Sequence, residues 1–125
     1  MITNRTTLIP KFPLHGEVWL VDFDLSKGDE IMKTRPAIII SSDAFKTLKI
    51  KMVVPLTSWQ EKFSTYQWMV KIDADVNNGL DKDSAADALQ LRSVSYQRFN
   101  LKLGTVSASV MDEIKAAVAI AIELQ

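Results

Sequence analysis

Apolar and polar positions alternate in short runs along most of this chain, and the period lengthens only near its end. Residues 1–15 form a lead-in without regular pattern, because Pro10 and Pro13 fix φ and withhold an amide donor. Gly16 then opens Glu17-Val18-Trp19-Leu20-Val21-Asp22-Phe23, rich in β-formers and short enough for a strand. Residues 25–34, polar around Lys27-Gly28-Asp29-Glu30, read as a mobile loop. The unbroken apolar run within residues 36–41 predicts a second strand buried on both faces. Asp43 is placed to cap a short helical turn through Ala44, Phe45 and Leu48. Residues 50–57 predict a third strand, with Pro55 pointing to an edge or a bulge. Further strands are predicted over 66–72, over the alternating segment 88–94, and over 101–106, with a turn at Asp75-Val76-Asn77-Asn78-Gly79 between the first two.

From Ser107 the spacing becomes helical. Val110, Ile114, Val118 and Ile122 recur every four residues, with Met111, Ala117, Ala121 and Leu124 beside them. Ser107 is the expected N-cap, and Asp112 and Glu113 suit the positive end of the helix dipole. Ile120 falls off the apolar stripe and points to a second buried face, a candidate dimer contact. Several short strands followed by one amphipathic helix predict a mainly β (α+β) domain over residues 16–125. Its expected form is a strongly curved antiparallel sheet or half-open barrel.

Size and composition agree with one domain. The chain has 125 residues, 47% of them hydrophobic and 24% charged, the balance of a folded domain with a single core. The longest apolar stretches fall far short of the roughly 20 residues that span a bilayer. The polar start, with Asn4, Arg5, Thr6 and Thr7, does not read as a secretory signal. With no cysteine there is neither a disulfide framework nor a thiolate metal site, so the expected location is cytoplasmic. Fifteen basic and fifteen acidic residues cancel, which removes any global field for nucleic acid. Lysines and Arg35 gather in the first half, and Asp73, Asp75, Asp81, Asp83 and Asp87 later.

Several chemistries can be set aside. The single histidine, His15, cannot supply the paired imidazoles of a two-histidine ribonuclease, and one histidine without cysteine falls short of a usual zinc ligand set. Asp73, Asp75 and Asn77 match the first positions of a calcium-binding EF-hand. Asn78 stands where glycine is needed, however, and Ser84 where the bidentate glutamate is needed. A magnesium site from Asp22, Asp24, Asp29 and Glu30 is outweighed by solvated loop charge. No metal and no cofactor are therefore expected.

What remains is one cation beside hydroxyls at strand ends. Pro36 forces Arg35 into extended geometry where the loop meets the second strand. If the second and third strands pair, Thr57 comes near Arg35. A guanidinium fork beside a hydroxyl is a grip for phosphate oxygens.

In this order of elements the chain resembles the MazF/PemK family of type II toxin–antitoxin endoribonucleases from about residue 16 to 124. Four landmarks carry the resemblance. They are Gly16-Glu17-Val18-Trp19-Leu20-Val21-Asp22-Phe23, Lys33-Thr34-Arg35-Pro36-Ala37-Ile38-Ile39-Ile40, Val53-Val54-Pro55-Leu56-Thr57-Ser58 and Gln90-Leu91-Arg92-Ser93-Val94. The resemblance implies an SH3-like barrel that dimerises with a second copy and is neutralised by a cognate antitoxin lying in its RNA groove. It implies sequence-specific cleavage of single-stranded messenger RNA. Arg35 and Thr57 match the family's catalytic arginine and threonine, and Lys33, Ser58, Gln90 and Arg92 become candidate RNA contacts. Ser95 stands where relatives often carry an aspartate, and Arg98 follows in a familiar place.

The expected mechanism follows from the substrate, which carries its own nucleophile in the 2′-hydroxyl. Attack would leave a 2′,3′-cyclic phosphate and a 5′-hydroxyl. A guanidinium pKa above about 12 suits Arg35 to clamp charge or donate a proton rather than to accept one. The general base is left open. Sequence preference is expected from residues 26–34 and 59–68, where Trp59, Phe63, Tyr66 and Trp68 could stack on bases or serve the core. Two other readings stand beside this one: a gyrase-poisoning binding toxin of the CcdB type, whose fold is similar, and a family member that binds RNA or antitoxin without cutting. The chain ends without the terminal aromatic often found in gyrase poisons.

Overall fold

Nine residues, Ile50–Ser58, form the strand around which the rest of the sheet is arranged. The computed structural model describes residues 12–23 and 34–124. Among these, seven strands precede one helix: β1 Glu17–Asp22, β2 Thr34–Ile39, β3 Ile50–Ser58, β4 Met69–Ile72, β5 Ser84–Asp87, β6 Arg92–Ser95, β7 Phe99–Thr105 and α1 Ala108–Ala121. The strand order is β4-β5-β3-β2-β1-β7, with β6 also beside β3. All pairings are antiparallel, and the sheet curls without closing, the half-open form expected. No described helix is long and apolar enough to cross a membrane.

β3 changes partner along one of its edges. Ile50 to Val53 pair with β6, and Leu56 to Ser58 pair with β5. On the opposite edge Val53, Val54 and Pro55 face β2. The Ile40 amide bonds the Met52 carbonyl, so even-numbered residues of β3 address β2 and odd-numbered ones the other edge. Pro55 therefore turns its missing N–H into the gap between β6 and β5. That is why a proline sits inside a central strand instead of at the edge or bulge its presence suggests.

Two segments depart from the sequence expectation. Residues 84–87, Ser-Ala-Ala-Asp, carry no β-branched or aromatic residue, yet they form β5. Ser84, Ala85 and Ala86 are buried between β3 and β4, where small side chains are what fits. The expected strand over 88–94 is instead a 3-10 turn, Ala88–Gln90, followed by β6. Asp87 caps that turn by accepting from the Leu89 amide. Similarly, the turn Asp43–Phe45 is capped by Ser42, while the Asp43 carboxylate accepts from the His15 amide.

The sheet is buried on both faces in its middle, and alternation sorts its residues. Val18, Ile38, Val54, Leu56, Val70 and Ile72 pack with Met111, Ile114 and Ala117 of α1. Trp19, Val21, Phe23, Ala37, Ile39, Val53, Val94 and Phe99 form a second core cluster on the face away from α1. Ala37, Ile38 and Ile39 are all buried, as their unbroken apolar run predicts. The helix begins as expected, with Ser107 accepting from the Val110 amide. Its contact face is centred on residues 111, 114 and 117, so Ile122 and the off-stripe Ile120 are exposed in the single chain. Ile114 is fully buried, and Ile114→Ala should cost about 3 kcal/mol, read as a lower urea midpoint at unchanged slope.

The two ends of the sheet are tied by polar contacts. Buried Glu17 accepts from the Leu14 amide and the Trp19 indole, and its other oxygen pairs with Lys102 at 3.1 Å. Pro13 is fully buried, so the end of the lead-in packs into the domain. In the turn 75–79, the Asp75 carboxylate accepts from the Asn77 and Asn78 amides. The buried Asn78 amide group accepts from Asp75 and Leu80 and donates to the Asp73 carbonyl. These groups hold the turn, which accounts for the acidic residues that mimic the start of a calcium loop.

Candidate functional site

The site is set by where β2 and β3 run past their last paired residues. Ala37 faces Pro55 across the ladder, and two residues further along each strand stand Arg35 and Thr57. Period-two alternation puts both side chains on the sheet face that carries Ala37 and Pro55. Arg35 lies opposite Val21 of β1, and Thr57 opposite Ala85 of β5. Arg35 Nη1 reaches to 3.5 Å from Thr57 Oγ1, a long contact and the guanidinium's one hydrogen bond among the described residues. Both residues are half-buried.

They form a ridge between two hollows. The larger, about 400 Å³, is lined by Phe23, Arg35, Thr57, Asp87, Gln90 and Arg92 together with apolar Pro55, Leu56, Phe63 and Met69. The smaller, about 280 Å³, lies on the other side, with Thr34, Ser58, Asp81, Lys82 and Ser84 among its walls and Arg35 and Thr57 shared. Of the residues singled out from sequence, Arg35, Thr57, Gln90 and Arg92 thus meet at one cleft, and Ser58 lies in the adjoining one. Lys33 lies outside the described residues, as does most of the loop 26–34. Arg92 is exposed, with its guanidinium over the Phe23 ring at 5.1 Å from the centroid. Arg98 has a structural task, donating to the Asp22 carbonyl at 3.1 Å.

The cleft also holds a carboxylate that sequence reasoning counts only among the clustered aspartates. Asp87 lies two residues beyond Ala85 and so on the same face as Thr57, opposite Met69 of β4. Burial pushes its carboxyl above the ordinary aspartate value, and the backbone amides of Leu89 and Gln90 pull it partly back. The signal available in sequence is its position directly before the turn that carries Gln90. Reading it requires knowing that Ser84–Asp87 is a strand.

One carboxylate against two guanidiniums, with hydroxyl and amide groups between, is a donor set for an anion rather than a divalent cation. The aromatic residues flank this cleft. Phe63 is buried at its wall, and contacts run from Trp59 to Phe63, from Phe63 to Tyr66 and from Tyr66 to Trp68, the last pair stacked at 4.8 Å. Trp68 packs against the helix-side core, and Lys71 lies over the Trp59 ring.

Comparison with known proteins gives a consistent result. The family model for the PemK-like, MazF-like toxin of type II toxin-antitoxin systems matches residues 14–122. Endoribonuclease MazF9 of Mycobacterium tuberculosis is 32% identical over 115 residues, covering 87% of this chain and 95% of that protein. Endoribonuclease PemK of Escherichia coli is 30% identical over 101 residues, covering 79% of this chain and 74% of the relative. Among solved structures, a MazE-MazF crystal structure from Deinococcus radiodurans superposes with a TM-score of 0.75 at 21% identity, over 93% of this chain and all of the other. A mycobacterial endoribonuclease in complex with its cognate antitoxin gives 0.71 at 24% identity, over 90% and 97%. At such identities the structures speak for the fold.

Proposed function

This chain belongs to the PemK-like, MazF-like toxin family of type II toxin–antitoxin systems, and from that premise we propose that it is an endoribonuclease cutting single-stranded RNA without a metal. The observation that carries the reading is the Arg35–Thr57 pair on the ridge between two hollows, in a chain whose relatives MazF9 and PemK are endoribonucleases. A phosphodiester laid across the ridge presents its oxygens to the Arg35 fork, which meets two of them at once. Thr57 adds a hydrogen bond. As the 2′-oxygen attacks, negative charge grows on the phosphoryl oxygens, and a fixed cation there lowers the barrier without moving a proton.

Ser58, Gln90 and Arg92 serve as RNA contacts on either side, and Lys33, two residues before Arg35 in the sequence, as a further one. Relatives have been solved with their antitoxins, which supports a cognate antitoxin as partner, covering the cleft. A second copy of the chain completes a homodimer. The cytoplasm, where messenger RNA is found, is the place of action. Cutting at a preferred motif belongs to this reading, with the hollows as the parts that select bases.

The test is direct. Purified protein incubated with mixed-sequence single-stranded RNA in excess EDTA should cut it to 2′,3′-cyclic phosphate and 5′-hydroxyl ends at recurring motifs. An all-deoxy strand of the same sequence should stay whole. A strict need for magnesium would refute the mechanism. Intact RNA together with loss of gyrase supercoiling would replace the reading with the binding-toxin one.

A further inference from the structure

The mechanism above lacks an acceptor for the 2′-hydroxyl proton, and the cleft contains a carboxylate without a task in it. Thr57 faces Ala85 across the β3–β5 ladder, and Asp87 is the next residue on that face. Diagonal neighbours of this kind lie about 7–8 Å apart along the backbone. That spacing leaves room for one phosphodiester and its ribose between the two side chains. Arg35, Thr57 and Asp87 line the same cleft.

Resting on the endoribonuclease reading, we propose that Asp87 is the general base, accepting the proton of the 2′-hydroxyl next to the phosphate held by Arg35 and Thr57. As the Asp87 carboxylate takes that proton, the 2′-oxygen forms its bond to phosphorus. The bond from phosphorus to the 5′-oxygen breaks, and that oxygen takes a proton from a water molecule. Asp87 then returns its proton to the hydroxide left behind. The enzyme ends unchanged, and the products are the 2′,3′-cyclic phosphate and the 5′-hydroxyl.

Position and protonation suit this role together. The Asp87 side chain stands at the end of β5 opposite Met69 of β4 and is partly withdrawn from water, which disfavours its charge and makes it a stronger base than an open carboxylate. Its Oδ1 accepts from the Leu89 amide at 3.1 Å, which fixes the carboxyl group where the turn begins. The charged groups facing it are Arg35 from β2 and Arg92 from β6. Lys71 shares its face on β4 but is engaged with Asp73 at 3.8 Å and with the Trp59 ring. β3 contributes Thr57, which does not titrate, and the turn Ala88–Gln90 carries no ionisable side chain. No ion pair among the described residues engages Asp87.

The experiment compares wild type with Asp87→Asn on one single-stranded RNA that the wild type cuts, over a range of pH. Asparagine keeps an oxygen to cap the turn and is as good an N-cap as aspartate, so the fold should survive. Unfolding midpoints and binding of the all-deoxy strand report whether it does, and Asp87→Ser, also a good cap, repeats the test if it does not. Wild-type kcat/KM should fall on the acid side through a pKa above the ordinary carboxylate value. In Asp87→Asn the rate should drop by about 100-fold or more and that acid limb should vanish, with binding kept. A variant that cuts within about threefold of wild type overturns the proposal. So does one that is slow but keeps the same acid limb, since that pattern belongs to a structural residue. A wild-type chain that leaves RNA whole overturns the endoribonuclease reading, and the Asp87 role with it.

Discussion

Arg35→Ala should slow RNA cleavage by about 10³-fold in single-turnover kinetics while leaving the unfolding midpoint within a few degrees of wild type. The two halves of that expectation have different causes. Arg35 is half-buried, and its contact with Thr57 is at the long limit of a hydrogen bond, so little of the fold rests on it. Neither core layer includes it, and Pro36 and Val21 hold the backbone there whatever the side chain. What alanine removes is the fixed charge on the ridge between the hollows, and among the described residues no other cation of the cleft can take its place without leaving its own position. Arg92 lines the same cleft, but its guanidinium lies over the Phe23 ring. Arg35→Lys keeps the charge and loses the planar fork, so it should recover only part of the rate. Thr57→Val should cost less, about tenfold, because one neutral hydrogen bond is removed. An Arg35→Ala protein as active as wild type would remove Arg35 from the reaction.

The largest expected effect on stability lies away from the cleft, where two glycines pass each other. A side chain at Gly104 would place its Cβ 2.1 Å from the Asn77 carbonyl oxygen and 2.7 Å from the Asn78 carbonyl carbon. At Gly79, whose φ is +69°, the same atom would meet the Leu103 carbonyl oxygen at 2.1 Å. Every obstructing atom at Gly104 is backbone, and the Thr105 amide bonds the Asn77 carbonyl at 2.9 Å. The turn 75–79 and β7 cannot separate without breaking that bond and the buried Asn78 network. Gly104→Ala should therefore cost about 3 kcal/mol or more, lowering the thermal midpoint by roughly 10 °C or more. A variant that melts within about two degrees of wild type would mean the turn can move aside cheaply.

How much of this was legible in the sequence depended on whether a residue's surroundings were local. The apolar run before Ser41 and the helix after Ser107 declare themselves, because burial on two faces or on one stripe leaves its period in the chain. The helix stripe falls a fraction of a turn off centre: Met111, Ile114 and Ala117 are buried, Val110, Val118 and Ala121 pack beside them, and Ile122 and Leu124 are exposed. Its neighbours β4 and the turn Ala88–Gln90 set that angle, and neither is adjacent in sequence. β5 was invisible for a related reason. Its small residues are chosen by the space between β3 and β4, so Ala85 and Ala86 look like poor strand formers. With β5 missing, Asp87 could not be placed opposite Met69 or diagonal to Thr57, and it stayed one aspartate among several. Arg35 and Thr57 were reachable because the strands that carry them are consecutive, and pairing consecutive strands is the ordinary outcome.

Strand β1 has a near neighbour in the chain and a far one. β2 follows it directly, whereas β7, which covers its other edge from Glu17↔Thr105 to Val21↔Phe99, is the last strand. A ribosome adds about 5–20 residues per second, so that edge stays bare for several seconds after β1, β2 and β3 have been made. During this interval Asp87, Gln90 and Arg92, which line the cleft beside Arg35 and Thr57, have also still to be added. The cleft that holds Arg35 and Thr57 is therefore incomplete until the final third of the chain has been made.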